Sequence, residues 1–186
     1  DDEQASTFDI PAYFQFLLDN KFLGNKSGQG FYKKTKDADG KKAILALNLE
    51  SLEYEPSQKE SLASLKMAKQ IDDLPKRIPA LMKADDKGGE LIRKSLVALF
   101  AYVSNRIPEI SDELYSIDDA MKAGYAWEMG PFEYWDAVGI KDGIEMAEAE
   151  GESIADWVKE MLAAGHDSFY KREGGKLMYY DIPTQS

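Results

Sequence analysis

Residues 117 to 139 read IDDAMKAGYAWEMGPFEYWDAVG, and this stretch decides the fold. It is punctuated for two short helices. Ser116, followed three residues later by Asp119, has capping-box spacing and predicts a helix that Gly124 stops. Gly130-Pro131 opens a second helix with proline in its first turn, where the missing N–H costs nothing, and Gly139 ends it. Trp127, Phe132, Tyr134 and Trp135 read as core anchors around the turn. Glu128 and Glu133 flank it, which makes them candidate site carboxylates, since conformationally special loops rich in aromatics often line sites.

Helical signals continue on both sides. Upstream, Ile92, Leu96, Leu99, Val103 and Ile107 form one apolar stripe on a helix from about Lys87 to Ile107, widened by Leu91, Val97, Phe100 and Tyr102. Leu74 to Ala84 predicts a helix broken or kinked at Pro75 and Pro79. Ser57 with Glu60 predicts a capped helix reaching Gln70. Pro11 to Phe22 predicts another, stopped by Gly24. Downstream, a helix runs from about Lys141 to Glu150, and Ser153 with Asp156 caps the next, which Gly165 stops. Strand signals are short. Phe31-Tyr32 and Ala43 to Leu49 predict strands with a charged, polar loop over Lys33 to Lys42, and Ser168 to Lys171 with Leu177 to Tyr180 predict a hairpin around Gly174-Gly175.

A faint repeat organises these elements. Phe31-Tyr32-Lys33-Lys34 recurs as Phe169-Tyr170-Lys171-Arg172, each after an amphipathic helix and a stopping glycine. The expected organisation is the end of a first helical unit at 1–49, a linker with helices at 50–86 and a complete second unit at 87–186.

Composition narrows the function. The chain has 186 residues, 44% hydrophobic and 31% charged, which suits a folded domain with a real core. The net charge is −11, and all of it lies between Arg106 and Glu160, where 15 acids face 4 bases. An acidic segment of this kind argues against nucleic acid and against an anionic membrane surface. No apolar run is long enough to span a bilayer. The start, Asp1-Asp2-Glu3-Gln4, is acidic and lacks methionine, so the expectation is a fragment or processed form without a signal peptide. With no cysteine, disulfides, thiolate metal sites and cysteine nucleophiles are excluded.

Candidate chemistry is sparse. The Gly24 to Gly30 loop fits neither a dinucleotide-binding nor a Walker pattern and reads as a turn. The lone histidine, His166, is flanked by Asp167 and Ser168, but adjacent residues cannot face one another in a relay. It reads as a helix C-terminal residue. The pairs Asp112/Glu113 and Asp118/Asp119 read as caps and solvated faces. Asn105-Arg106 ends the longest helix beside its apolar stripe, where an asparagine must find partners in the fold or in a ligand.

These residues resemble a family. The run from Ile117 through Gly124, Gly130-Pro131-Phe132-Glu133 and Asp136 to Gly139 looks like the "ID-A-x-x-x-G … G-P-F-E … D-x-x-G" of the C-terminal domain of 3-hydroxyacyl-CoA dehydrogenases. Val103-Ser104-Asn105-Arg106-Ile107 looks like its "F-V/I-x-N-R" segment, and Phe22 to Tyr32 like its closing "G-x-K-x-G-x-G-F-Y". A closing segment followed by a second copy is similar to multifunctional β-oxidation proteins with tandem C-terminal domains. The resemblance implies a mainly α fold, 6-phosphogluconate dehydrogenase C-terminal-like, with short β-hairpins after the helical units. It implies NAD-dependent oxidation of 3-hydroxyacyl-CoA in a parent enzyme of a bacterial cytoplasm. The catalytic His–Glu pair and the NAD site would lie in a Rossmann domain that, with the first helical unit, is missing from this chain. No catalytic, cofactor or metal residue is then expected here; Asn105 matches the family's asparagine by position only, and homodimerisation is possible. Two other readings are a free-standing helical dimerisation or interaction module and an acyl-CoA-binding module.

Overall fold

The computed structural model describes residues 5–58 and 60–186; the acidic Asp1 to Gln4 start lies outside them. Helices predominate, and the strands that pair do so antiparallel. The chain divides into two compact units, Asp1–Glu60 and Ser61–Ser186.

In the first unit, a 3-10 turn at Ala5–Phe8 precedes α1 (Ala12–Asp19). The residue that turns the chain out of α1 is Lys21, at φ 56°, three positions before the expected stop at Gly24. Three strands follow, β1 (Tyr32–Lys36), β2 (Lys42–Leu47) and β3 (Tyr54–Pro56), in that order across one antiparallel sheet. The register pairs Tyr32 with Ala46 and Lys36 with Lys42. The expected loop over Lys33 to Lys42 is therefore strand for half its length. Its turn shrinks to the residues around Asp37, whose carboxylate accepts the amides of Asp39 and Lys41. β3 had no sequence signal, and the helix that Ser57 and Glu60 predicted to reach Gln70 is confined to Ala63–Ala68.

The second unit holds α2 (Ala63–Ala68), α3 (Leu74–Met82), α4 (Lys87–Asn105), α5 (Leu114–Tyr125), α6 (Pro131–Val138), α7 (Ile140–Ala149) and α8 (Asp156–Ala163), then the hairpin β4 (Tyr170–Glu173) and β5 (Lys176–Tyr179). α3 runs through Pro75 and Pro79 as one element, because Pro75 sits in its first turn and Pro79 removes a single donor. Two helices start away from their predicted caps. α5 begins two residues before Ser116 and ends at Ala126, in the left-handed region, rather than at Gly124. α8 begins at Asp156, and the amide of Ala155 donates to Ser104 Oγ of α4 instead of to a local side chain. The cap of α4 went unread: Asp86 accepts from Gly88 and Gly89 and, with its other oxygen, from Ser64. These hydrogen bonds hold its pKa down to about 2.

α4 packs against α3, α6 and α7. Its most buried line is Val97, Phe100, Ala101, Val103 and Ser104, whereas the predicted stripe residues Ile92, Leu96 and Leu99 are half-buried and Leu91 is exposed. The Phe100 ring stacks on Trp135 at 4.8 Å and 5°, and Trp135 Nε1 donates to Ile140 O at 3.2 Å. Gly143 of α7 faces that indole: a Cβ there would lie 2.2 Å from Nε1. Arg93 ties the same helices at the edge, donating to Met82 O at 2.8 Å and reaching Glu150 at 3.4 Å.

Candidate functional site

The stretch that decides the fold builds a carboxylate pair beneath the second hairpin, Asp118 buried and Asp136 half-buried. Asp118 lies one turn beyond the buried Leu114 on α5, so helical register carries it into the core, where it is 0% exposed. It is therefore no solvated residue, as its pairing with Asp119 suggested. It caps another helix: Oδ1 accepts the Phe132 amide at 2.9 Å and Oδ2 the Glu133 amide at 3.1 Å, both in the first turn of α6. Its third donor is the Tyr170 hydroxyl, at 2.9 Å. Gly130 permits the approach, since a Cβ there would stand 2.2 Å from Asp118 Cγ.

Asp136, at the other end of α6, does the same for the hairpin. Its two oxygens accept the Phe169 amide at 2.7 Å and the Tyr170 amide at 2.9 Å. Phe169 drops into an aromatic nest, with ring centroids 5.0 Å from Phe132, 5.2 Å from Trp135 and 5.9 Å from Trp157. Burial pushes the Asp118 carboxyl up to about 6 and the Asp136 carboxyl up to about 7, the amide donors opposing in both and the Asp118 charge adding to the rise at Asp136. Burial and the neighbouring Asp118 also raise the Tyr170 hydroxyl.

Glu133 is likewise committed. Its Oε2 accepts the Gly130 amide at 2.7 Å, the reach-back half of a capping box whose other half comes from Asp118 because Gly130 has no side chain, and its Oε1 meets Lys122 at 3.0 Å, which also reaches Asp119 at 3.1 Å. Glu128 remains exposed at the turn. Trp127, expected as a core anchor, is half-buried and packs edge-on against Tyr134, while Phe132 and Trp135 are fully buried.

Asn105 takes no part in this cluster. Its Nδ2 donates to Ala101 O at 2.9 Å within α4 and to Ser153 O at 2.8 Å across the loop before α8. Arg106 pairs with Glu109 at 2.6 Å and lies over the Tyr102 ring. The His166 amide donates to Met161 O in the α8 C-terminal turn, and its ring packs on Tyr180 at 5.0 Å. Among the described residues, no group of three or more His, Asp or Glu is placed to hold a metal ion. Nor, among the described residues, is any helix long and apolar enough to cross a membrane.

The motif therefore forms a latch. Asp118, Gly130, Glu133, Asp136, Phe169 and Tyr170 join α5, α6 and the hairpin, and the carboxylates of Asp118, Glu133 and Asp136 spend their lone pairs on groups of the fold. Sequence reasoning missed the pairing of both aspartates with Phe169-Tyr170. The available signal was that Asp118 shares a helix face with Leu114.

Along 97% of its length the chain is 38% identical to "Probable 3-hydroxyacyl-CoA dehydrogenase" of Bacillus subtilis (strain 168). It is 29% identical, over 68% of its length, to "Putative fatty acid oxidation complex trifunctional enzyme" of Rickettsia felis. A protein of the same description from Rickettsia prowazekii is 26% identical over 70% of the chain. The matches span 22% of the first relative and 16% of each of the others, so the chain corresponds to about a fifth or less of their length. No protein-family model matches, and no solved structure matches significantly.

Proposed function

We propose, since this chain belongs to the 3-hydroxyacyl-CoA dehydrogenase family, that it forms the C-terminal helical part of such an enzyme of fatty-acid β-oxidation. Its role there is to scaffold an NAD-binding domain and an acyl-CoA cleft that lie elsewhere in the protein. The fold we assign is of the 6-phosphogluconate dehydrogenase C-terminal type, with 1–49 ending one helical unit and 87–186 forming a second, the 50–86 link being shared between them as β3 joins the first unit's sheet and α2 and α3 belong to the second unit. A bacterial cytoplasm is the compartment that fits relatives of this kind. The observation that carries the scaffolding role is the internal use of the motif's polar groups: a general acid or base needs a lone pair or proton directed at substrate, and the carboxylates of Asp118, Glu133 and Asp136 are directed at backbone amides, Tyr170 and Lys122.

The residues present do not fit NAD. A dinucleotide pyrophosphate is held by free amides of a glycine-rich turn between a strand and a helix. In the Gly24 to Gly30 loop, the amide of Leu23 donates to Ser27 Oγ, that of Gly24 to Gln29 O and that of Ser27 to Gly24 O. That loop closes on itself.

The test is acetoacetyl-CoA-dependent oxidation of NADH. The whole protein to which this chain belongs turns over; the 186 residues alone do not. Turnover by the isolated chain, or none by the whole protein, overturns the proposal.

A further inference from the structure

The two hairpins are built alike, and the likeness extends back through the helix before each. Tyr13 on α1 meets the Phe31 ring edge-on at 6.2 Å and 61°; Trp157 on α8 meets Phe169 at 5.9 Å and 61°. Leu17 and Met161, four residues further along each helix, are both buried. The helix exits match: the amides of Lys21 and Phe22 donate to Leu18 O and Leu17 O, as those of Gly165 and His166 donate to Leu162 O and Met161 O. The hairpins also close alike, with Leu47 N donating to Phe31 O and Tyr180 N to Phe169 O, each at 2.8 Å.

One part of the arrangement has no counterpart in the first unit. Phe169 is 1% exposed because α6 covers it, and its amide and that of Tyr170 are held by Asp136. Phe31 is 41% exposed and Tyr32 65%. The β1–β2 register turns the Tyr32 amide away from the ladder, and neither it nor the Phe31 amide has an acceptor among the described residues. Two adjacent amide donors beside a half-open aromatic ring make a surface complementary to a carboxylate on a helix that also carries aromatic residues.

We infer that Phe31 and Tyr32 form the docking site for a helix like α6: an aspartate that accepts both amides, preceded by aromatic side chains that cover the Phe31 ring, as Phe132, Trp135 and Asp136 serve Phe169. The occupant is a helical unit of the same protein, N-terminal to α1. This rests on the reading of the chain as part of a longer dehydrogenase.

Hydrogen–deuterium exchange resolved to the peptide spanning 29–34 tests it, on the whole protein and on the 186-residue chain. In the isolated chain, the Phe31 and Tyr32 amides exchange rapidly while those of Phe169 and Tyr170 stay protected, the latter serving as the folding control. In the whole protein all four are protected, with exchange at 31 and 32 slowed about a hundredfold or more. Tyr32→Pro, which removes a donor the hairpin itself does not use, lowers the melting temperature of the whole protein and leaves that of the isolated chain in place. Rapid exchange at 31 and 32 in both samples overturns the inference, as does protection in the isolated chain that grows with concentration, which assigns the site to a second copy. The NADH assay on the same whole protein separates the two readings. Activity with unprotected amides refutes only the docking site; protection without activity supports the docking site and refutes only the dehydrogenase assignment.

Discussion

Asp118→Ala destabilises the second unit by about 4 kcal/mol in chemical denaturation. The substitution leaves the amides of Phe132 and Glu133 and the hydroxyl of Tyr170 without their acceptor inside a site that water does not reach. Each buried donor stranded in this way costs about 1–3 kcal/mol, and relief from desolvating a carboxylate returns part of the total. A loss below about 1 kcal/mol would mean that the latch contributes little. The same carboxyl gives the wild type a pH signature. Its folded value, raised by burial to about 6, exceeds its unfolded value, so between about pH 4 and 6 the folded state binds more proton than the unfolded one. Stability from this group therefore falls as pH rises through that window, by about 3 kcal/mol in total, and is level above it. Asp118→Asn removes that fall, and an unchanged slope in the variant contradicts the assignment.

Gly143→Ala costs about 3 kcal/mol and disturbs the near-ultraviolet circular dichroism of the indole. The added methyl would sit 2.2 Å from Trp135 Nε1 and 2.6 Å from Cδ1. Trp135 cannot yield cheaply. It is fully buried, stacked on Phe100, in edge contact with Phe169 and bonded through Nε1 to Ile140. Either the ring leaves its stack or α7 retreats from α4 and α6, and both open space in a close-packed interior. Wild-type stability with an unaltered spectrum would show that the interface has slack. An exposed glycine with an ordinary surrounding, Gly124, serves as the control, because a Cβ there meets nothing within 4 Å.

Much of the second unit was legible in the sequence, for physical reasons that can be named. Gly130-Pro131 and Gly139 bound α6 because proline lacks a donor that a first turn does not need and because Gly139 takes φ 94°. The β4–β5 hairpin followed from alternation around Gly174-Gly175, both at positive φ. What failed was local capping. Ser116 and Ser153 have the right spacing, yet α5 starts two residues before Ser116 with no side-chain cap, and α8 starts at Asp156, where the Ala155 amide is held by Ser104 Oγ of α4. Gly24 was read as the stop of α1, but Lys21 turns the chain first, and a lysine in the left-handed region leaves no mark in sequence. The candidate site was half legible. The motif residues were all singled out, but adjacency in sequence paired Asp118 with Asp119, whereas the fold pairs it with Phe132, Glu133 and Tyr170, 14 to 52 positions away.

Asn105 is where resemblance and geometry pull apart most sharply. By position it matches the asparagine of the family it resembles. In the fold its amide spans from Ala101 O to Ser153 O, holding the end of α4 to the loop before α8. Asn105→Ala in the whole protein, assayed with acetoacetyl-CoA and NADH and melted in parallel, separates the roles. The account predicts a lower melting temperature with kcat within about twofold of wild type. A kcat lower by about a hundredfold at an unchanged melting temperature would place Asn105 in the chemistry and contradict the reading of this chain as scaffold.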